Sequence, residues 1–164
     1  MPILKHGEII IDDWQNLADD EVLPEEGLAI VSLARWQTDR DQLINARRPL
    51  GLRLTGKVDV SEIAADLDHF DLVAVSFPGI ADGRGYSQAR LLRQRFGFTG
   101  ELRATGPLVR DVFAALERVG FDAIEARDQA EAEAWSVAVG RITVRLQSDI
   151  TAPEMSSFQT ADRK

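Results

Sequence analysis

Short apolar runs alternate with stretches of helical spacing along most of this chain. Leu72–Val75, continuing to Phe77, is the clearest run, and its β-branched members suit a strand covered on both faces. Leu28–Leu33, Pro49–Leu54, Glu101–Ala104 and Phe121–Glu125 read as further strands. Ile3–Lys5 and Glu8–Ile11 flank His6-Gly7 and predict a β-hairpin. The segment from Asp12 to Gly27 reads as an acidic loop with room for one helical turn, pinned by Trp14, Leu17, Val22 and Leu23. Ile142, Val144 and Leu146 alternate with polar residues in Arg141–Gln147, the pattern of a half-exposed or edge strand.

Helical spacing fills the gaps. Trp36, Leu43 and Ile44 mark a helix over Arg35–Asn45, and Asp59 with Glu62 has capping-box spacing for one that runs to about Asp68. A helix over Gly85–Phe96, ended by Gly97, puts Ala89, Leu92 and Phe96 on one face and Tyr86, Arg90 and Arg93 on another. Gly106-Pro107 opens the next, with Leu108, Val112, Ala115, Leu116 and Val119 as its buried stripe and Gly120 as its end. Asp128 with Glu131 opens the last, which carries Ala134, Trp135 and Ala138. This alternation predicts an α/β fold with a mainly parallel sheet and right-handed crossovers. An open flavodoxin-like sheet is the first choice and an incomplete β/α barrel the alternative. Residues 1–147 form one domain with an N-terminal hairpin arm, and 148–164 form a polar tail.

Composition narrows the class. With 164 residues, 45% hydrophobic and 28% charged, the chain is an ordinary globule large enough to fold without staples. It has no cysteine, which removes disulfides, thiolate nucleophiles and cysteine-ligated clusters within the chain. No apolar run approaches the ~20 residues that span a bilayer, and no secretory leader is visible at the start, so a cytoplasmic protein without membrane contact is expected. A net charge of −8 argues against nucleic-acid binding. Its distribution is uneven. From Arg84 to Arg110 there are six arginines against one acid, Glu101, whereas residues 1–27 set Lys5 against eight acids. Such separation steers an acidic ligand or partner, pairs an acidic arm with a basic helix across a homodimer, or merely solvates two surfaces.

Ligands of parallel α/β sheets bind at the carboxyl ends of the strands, which selects Ser76–Ser87 and the turn Thr105–Pro107. The candidate ligand- or partner-binding residues are Asp82, Gly83, Arg84, Gly85, Tyr86, Ser87, Arg90 and Arg93. The two glycines allow positive φ or close approach of a ligand, and amides opening the helices at Gly85 and Pro107, with Arg84, Ser87 and Arg110, suit an anion. The alternative is a plain helix-entry turn whose arginines pair with distant acids. A dinucleotide fingerprint is incomplete, because Gln88 stands where its third glycine belongs. Tyr86 and Arg90 have the spacing of the Tyr-and-Lys pair of short-chain dehydrogenases, yet arginine does not titrate as lysine does. There is no P-loop, nucleophile elbow or His-Glu-x-x-His motif, and His6 and His69 read as surface residues. Catalytic residues and metal ligands are not assigned; Trp14, Trp36 and Trp135 read as packing residues.

The segment FPGIADGRGYSQARLLRQRFGFTGELRATGPLVRD, followed by GFDAIE, resembles the signature of the bacterial domain-of-unknown-function family nine hundred thirty-four. Asp-Asp-Trp at 12–14, LARW at Leu33–Trp36 and PLGLRL at Pro49–Leu54 resemble its pattern too, so the likeness covers about residues 1–147. The resemblance implies an oxidoreductase label and a genomic setting beside assimilatory sulfite reductase, and brings no catalytic residues. Two functions follow as expectations. One is an accessory protein of assimilatory sulfite reduction that docks on the reductase or its electron donor through the basic loop and helix. The other is a small oxidoreductase or anion-binding enzyme with its ligand at Asp82–Ser87, and redox work there needs a borrowed flavin or nicotinamide.

Overall fold

The computed structural model describes residues 1–79 and 82–139, and its strands form one eight-stranded sheet. β1 (Ile3–Lys5) and β2 (Glu8–Ile10) make the expected hairpin, with His6 and Gly7 at positive φ (50° and 87°) in the turn. Then come β3 (Trp14–Asn16), β4 (Leu28–Ser32), β5 (Leu50–Thr55), β6 (Leu72–Ser76), β7 (Glu101–Thr105) and β8 (Ala123–Glu125). Across the sheet the order is β2-β1-β8-β7-β6-β5-β4-β3. β3 to β8 are parallel neighbours in chain order, and the hairpin joins antiparallel to β8. A flavodoxin-like sheet grows outward from an interior first strand; this one grows in a single direction, so crossovers of one hand leave every helix on the same face. Of the two sheets expected, the chain adopts the incomplete β/α barrel.

Chain length explains the curl. The opposite edges, β2 and β3, are consecutive in sequence, and only residues 11–13 connect Ile10 to Trp14. Seven interstrand steps of ~4.8 Å would separate the edges of a flat sheet by roughly 34 Å. Four Cα steps reach at most about 14 Å. The sheet therefore rolls into a half-barrel, and the connection crosses its inner face, where the Asp12 carboxylate meets Arg103 of β7.

The helices lie outside. α1 (Leu33–Asn45) starts at Ser32, whose hydroxyl accepts from the Arg35 amide; a 3₁₀ helix, Val60–His69, follows β5. α2 (Arg84–Arg90) runs into a π turn, Leu91–Arg95; α3 (Phe113–Arg118) follows a 3₁₀ turn at Arg110–Val112; α4 is Gln129–Val139. Trp36, Leu67, Leu92, Leu116 and Trp135 from these segments share one core with Val31, Leu52, Val73, Leu102 and Ala104 of the strands. The alternate strand positions face inward, where Ile30, Leu72 and Ala74 pack with Trp14. Gly51 permits that packing, since a Cβ there would sit 2.8 Å from Ile30 and 3.3 Å from Trp14.

Several expectations change. The acidic segment after Asp12 contains β3, a strand too short to show a period, and Val22 is 87% exposed while Leu17 is buried. Asp59 caps as expected, accepting from the Ser61 amide, but opens a 3₁₀ helix. The helix expected at Pro107 begins later: Leu108 N–H donates back to Gly106, Val109 is extended, and helical backbone starts only at Arg110. Ala115 is exposed, outside the stripe expected for it. The expected strand Arg141–Gln147 and the tail 148–164 lie outside the described residues.

Candidate functional site

The loop and helix singled out in the sequence are largely occupied with holding themselves together. Asp82 accepts from the Arg84 amide at 3.1 Å and from its guanidinium at 2.9 and 2.5 Å. These bonds, the guanidinium's first, pull the Asp82 carboxyl down to about 2. Gly83 stands in open space at the N-cap with φ −73°, so it uses no glycine-specific backbone. Gly85 is buried against Phe77, and a Cβ would meet the ring at 2.4 Å; the close approach its lack of side chain allows is to the protein itself. Tyr86 packs edge-on to the same ring at 5.5 Å, and burial raises its hydroxyl's pKa.

Arg93 is a clamp. Its guanidinium donates to the carbonyls of Gly120 (3.0 Å), Phe98 (2.5 Å) and Gly100 (2.9 Å) and to Asp122, which also accepts from the Leu102 amide. The extra residue of the π turn, closed by Phe96 N–H to Leu91, accounts for this inward turn away from Arg90. Exposed Ser87, Arg90, Leu91, Gln94 and Arg95 line a shallow groove of about 380 Å³. Gln88, not singled out, is 5% exposed and ties α2 inward by donating to the carbonyls of Thr55 (2.9 Å) and Val58 (2.7 Å).

The larger cavity, about 740 Å³, opens on the inner face of the half-barrel, within the range of small-molecule sites. Its floor is Ile30, Arg53, Ala74 and Arg103; its rim at the carboxyl ends is Thr105–Val109, Glu125 and Arg127. The expected turn Thr105–Pro107 is thus part of it, while no residue of Ser76–Ser87 lines it. Gly106 shapes that rim: its φ is +109°, and a Cβ there would lie 2.2 Å from the Phe77 carbonyl oxygen.

Register fixes the charged groups. Arg53, Ala74, Arg103 and Ala123 are laterally paired along one row, and Glu125 lies two residues farther along β8 on the same face. Arg103 is 2% exposed and fully paired: Nη1 donates to both Asp12 oxygens at 2.9 Å, Nε and Nη2 to Glu101 at 2.9 and 2.8 Å. Lys5 adds a 2.7 Å bond to Glu101. Burial alone would raise the Glu101 carboxyl, but Lys5 and Arg103 outweigh it and hold it below its ordinary value.

Arg53 and Glu125 differ. Among the described residues Arg53 makes one side-chain hydrogen bond, to the neutral Asn16 amide oxygen at 3.2 Å, and no ion pair. Half-buried Glu125 makes neither a side-chain hydrogen bond nor an ion pair there. Burial first, then Asp12, raises its carboxyl above the ordinary value, against Arg103, Arg53 and the Met1 amine. A cation and an acid without ion-pair partners among the described residues therefore share one cavity. The signal for both is visible in LGLRLT and AIE, where a charge interrupts or ends an apolar strand on inner-face parity.

Fold and cavity together define a curled, incomplete β/α barrel with a ligand-sized site at the carboxyl ends of its strands. By sequence the chain belongs to the bacterial proteins of unknown function grouped as DUF934, whose model matches residues 51–156. That match begins at Gly51 in β5, after the arm and α1, and runs past Ser148, where the tail was expected to leave the family. No curated protein and no solved structure matches the chain. Among the described residues no helix is long and apolar enough to cross a membrane.

Proposed function

We propose that this protein binds a small anionic molecule in the inner-face cavity, with Arg53 as the anion's partner. One observation carries the reading: Arg53 lies on the cavity floor with no carboxylate partner among the described residues, while Arg103 in the same row has two. A half-buried guanidinium offered only a neutral amide is a poorly satisfied cation, and its planar fork suits a carboxylate or oxyanion. The site is the anion-binding alternative of the sequence, moved from Asp82–Ser87 to the sheet. Calorimetric titration with sulfite, sulfate, phosphate and small carboxylates tests it. Binding of at least one anion that drops about tenfold or more in Arg53→Ala is expected; equal binding by the variant overturns the assignment.

A second reading retains the accessory protein of assimilatory sulfite reduction. The observation that favours it is exposed Leu91 between Arg90 and Arg95 in the outer groove, since an apolar residue flanked by arginines suits docking on an acidic partner. Titration with sulfite reductase, or with its electron donor, at low and high salt checks it. Binding that weakens with salt and is lost in the Arg90→Ala/Arg95→Ala variant supports docking; salt-independent binding, or none, removes it.

A further inference from the structure

The cavity has two unlike polar ends. Arg53 on β5 and Glu125 at the end of β8 are separated by β6 and β7, ~14 Å in a flat sheet and less across the curled inner face. Between them the floor is Ala74 of β6 and Arg103 of β7, whose donors are committed to Asp12 and Glu101, while Ile30 of β4 lies on the other side of Arg53. Pro107, Leu108 and Val109 form an apolar wall beside them. We propose that the ligand is a short-chain monocarboxylic acid, its carboxylate on Arg53, its chain over Ala74, and a neutral hydroxyl against Glu125. The inference rests on anion binding in this cavity and assigns the other end of the ligand.

Glu125 supplies the discrimination. Above its titration the half-buried Glu125 carboxylate, with no side-chain hydrogen-bond partner among the described residues, accepts from a ligand hydroxyl. A second ligand carboxylate in that place would face a like charge and bind only by taking up a proton. The charged groups around Glu125 do not cancel this: Asp12 and Arg103 are paired, Arg53 is engaged by the ligand, Arg127 and Glu131 pair with each other on the rim at 3.6 Å, and the pull of the Met1 amine still leaves the carboxyl raised. Rejection of a diacid therefore grows as pH rises through the Glu125 titration and fades below it.

A five-carbon series separates the elements: pentanoate, 4-hydroxypentanoate and glutarate, titrated into the protein and its Glu125→Gln variant with the Arg53 side-chain Nε–H resonance followed by NMR. At neutral pH, 4-hydroxypentanoate is expected to bind about tenfold more tightly than pentanoate or glutarate. In Glu125→Gln its advantage over glutarate closes to within about threefold, because the amide oxygen still accepts from the hydroxyl but the side chain no longer repels a carboxylate. If the acids shift Arg53 with equal affinities, or the preference survives in Glu125→Gln, the Glu125 assignment is overturned while anion binding stands. If none shifts Arg53, the cavity reading falls and the inference with it.

Discussion

Glu125 carries a stability cost that the proposed ligand contact would explain. Its folded-state pKa is raised, so the ionised form is the disfavoured one in the fold; the cost is present above its titration range and vanishes below the ordinary carboxylate value. Glu125→Gln should raise the Tm at neutral pH, by about 1–2 °C after allowance for partial solvent screening, and this gain should disappear in acid. Thermal scans at both pH values check it; a lower Tm at neutral pH would show that the carboxylate stabilises the fold. Arg93 and Arg90, one turn apart, should separate sharply. Arg93→Ala strands three carbonyls and Asp122 and should cost about 3 kcal/mol, whereas Arg90→Ala should stay within about 0.5 kcal/mol. Urea unfolding of the two variants reads that difference. Both arginines look alike in sequence, because what distinguishes them is the loop at Gly120–Asp122, which arrives 27 residues later in the chain. Arg53, Arg103 and Glu125 were legible as charges inside strands, but their meaning depends on which strands become neighbours.

At the scale of elements, Phe77 is the hinge between sequence pattern and site. Its ring fills the space above Gly85, and its carbonyl fills the space above Gly106, so one residue fixes both the entry to α2 and the cavity rim. Gly85→Ala should therefore destabilise by about 1–3 kcal/mol through overpacking, and Phe77→Leu should recover part of that loss by opening room. Denaturant unfolding of the single and double variants measures the coupling, and additive effects would refute the contact. Strands and most helices were legible because hydrophobic periodicity and glycine stops are local. Gly97 and Gly120 end helical segments at positive φ as their positions imply. The misplaced start at Pro107 has a tertiary cause: Gly106 must pass under the Phe77 carbonyl at positive φ before a helix can begin. β3 was hidden because three residues define no period, and its pairing with β4 is visible only once β4 has a free edge.

For the whole molecule, closure is decided by the short crossing at residues 11–13. It joins the two edges of the sheet, and Asp12 at its centre is 8% exposed and bonded to Arg103 on the inner face. Lys5, Asp12, Glu101 and Arg103 make an electrically balanced set linking the hairpin, the crossing and β7. The desolvation of these charges is offset only while all partners remain. Asp12→Ala leaves Arg103 with one carboxylate that Lys5 also claims, and should cost about 3–5 kcal/mol. Hydrogen exchange gives the prediction its spatial form: amides of β3 and the adjoining loop should lose protection first, and those of β5, β6 and β7, in the middle of the ladder, last. Arg103→Met combined with Asp12→Leu removes both charges but leaves Glu101 paired to Lys5, and should recover most of the stability, since an apolar pair needs no solvation. The same double variant brings the two uses of charge apart. It spares Arg53 and Glu125, so a stable variant that still binds small acids would show that the Asp12–Arg103 contact serves the fold alone and would support Arg53 and Glu125 as the groups that hold the ligand.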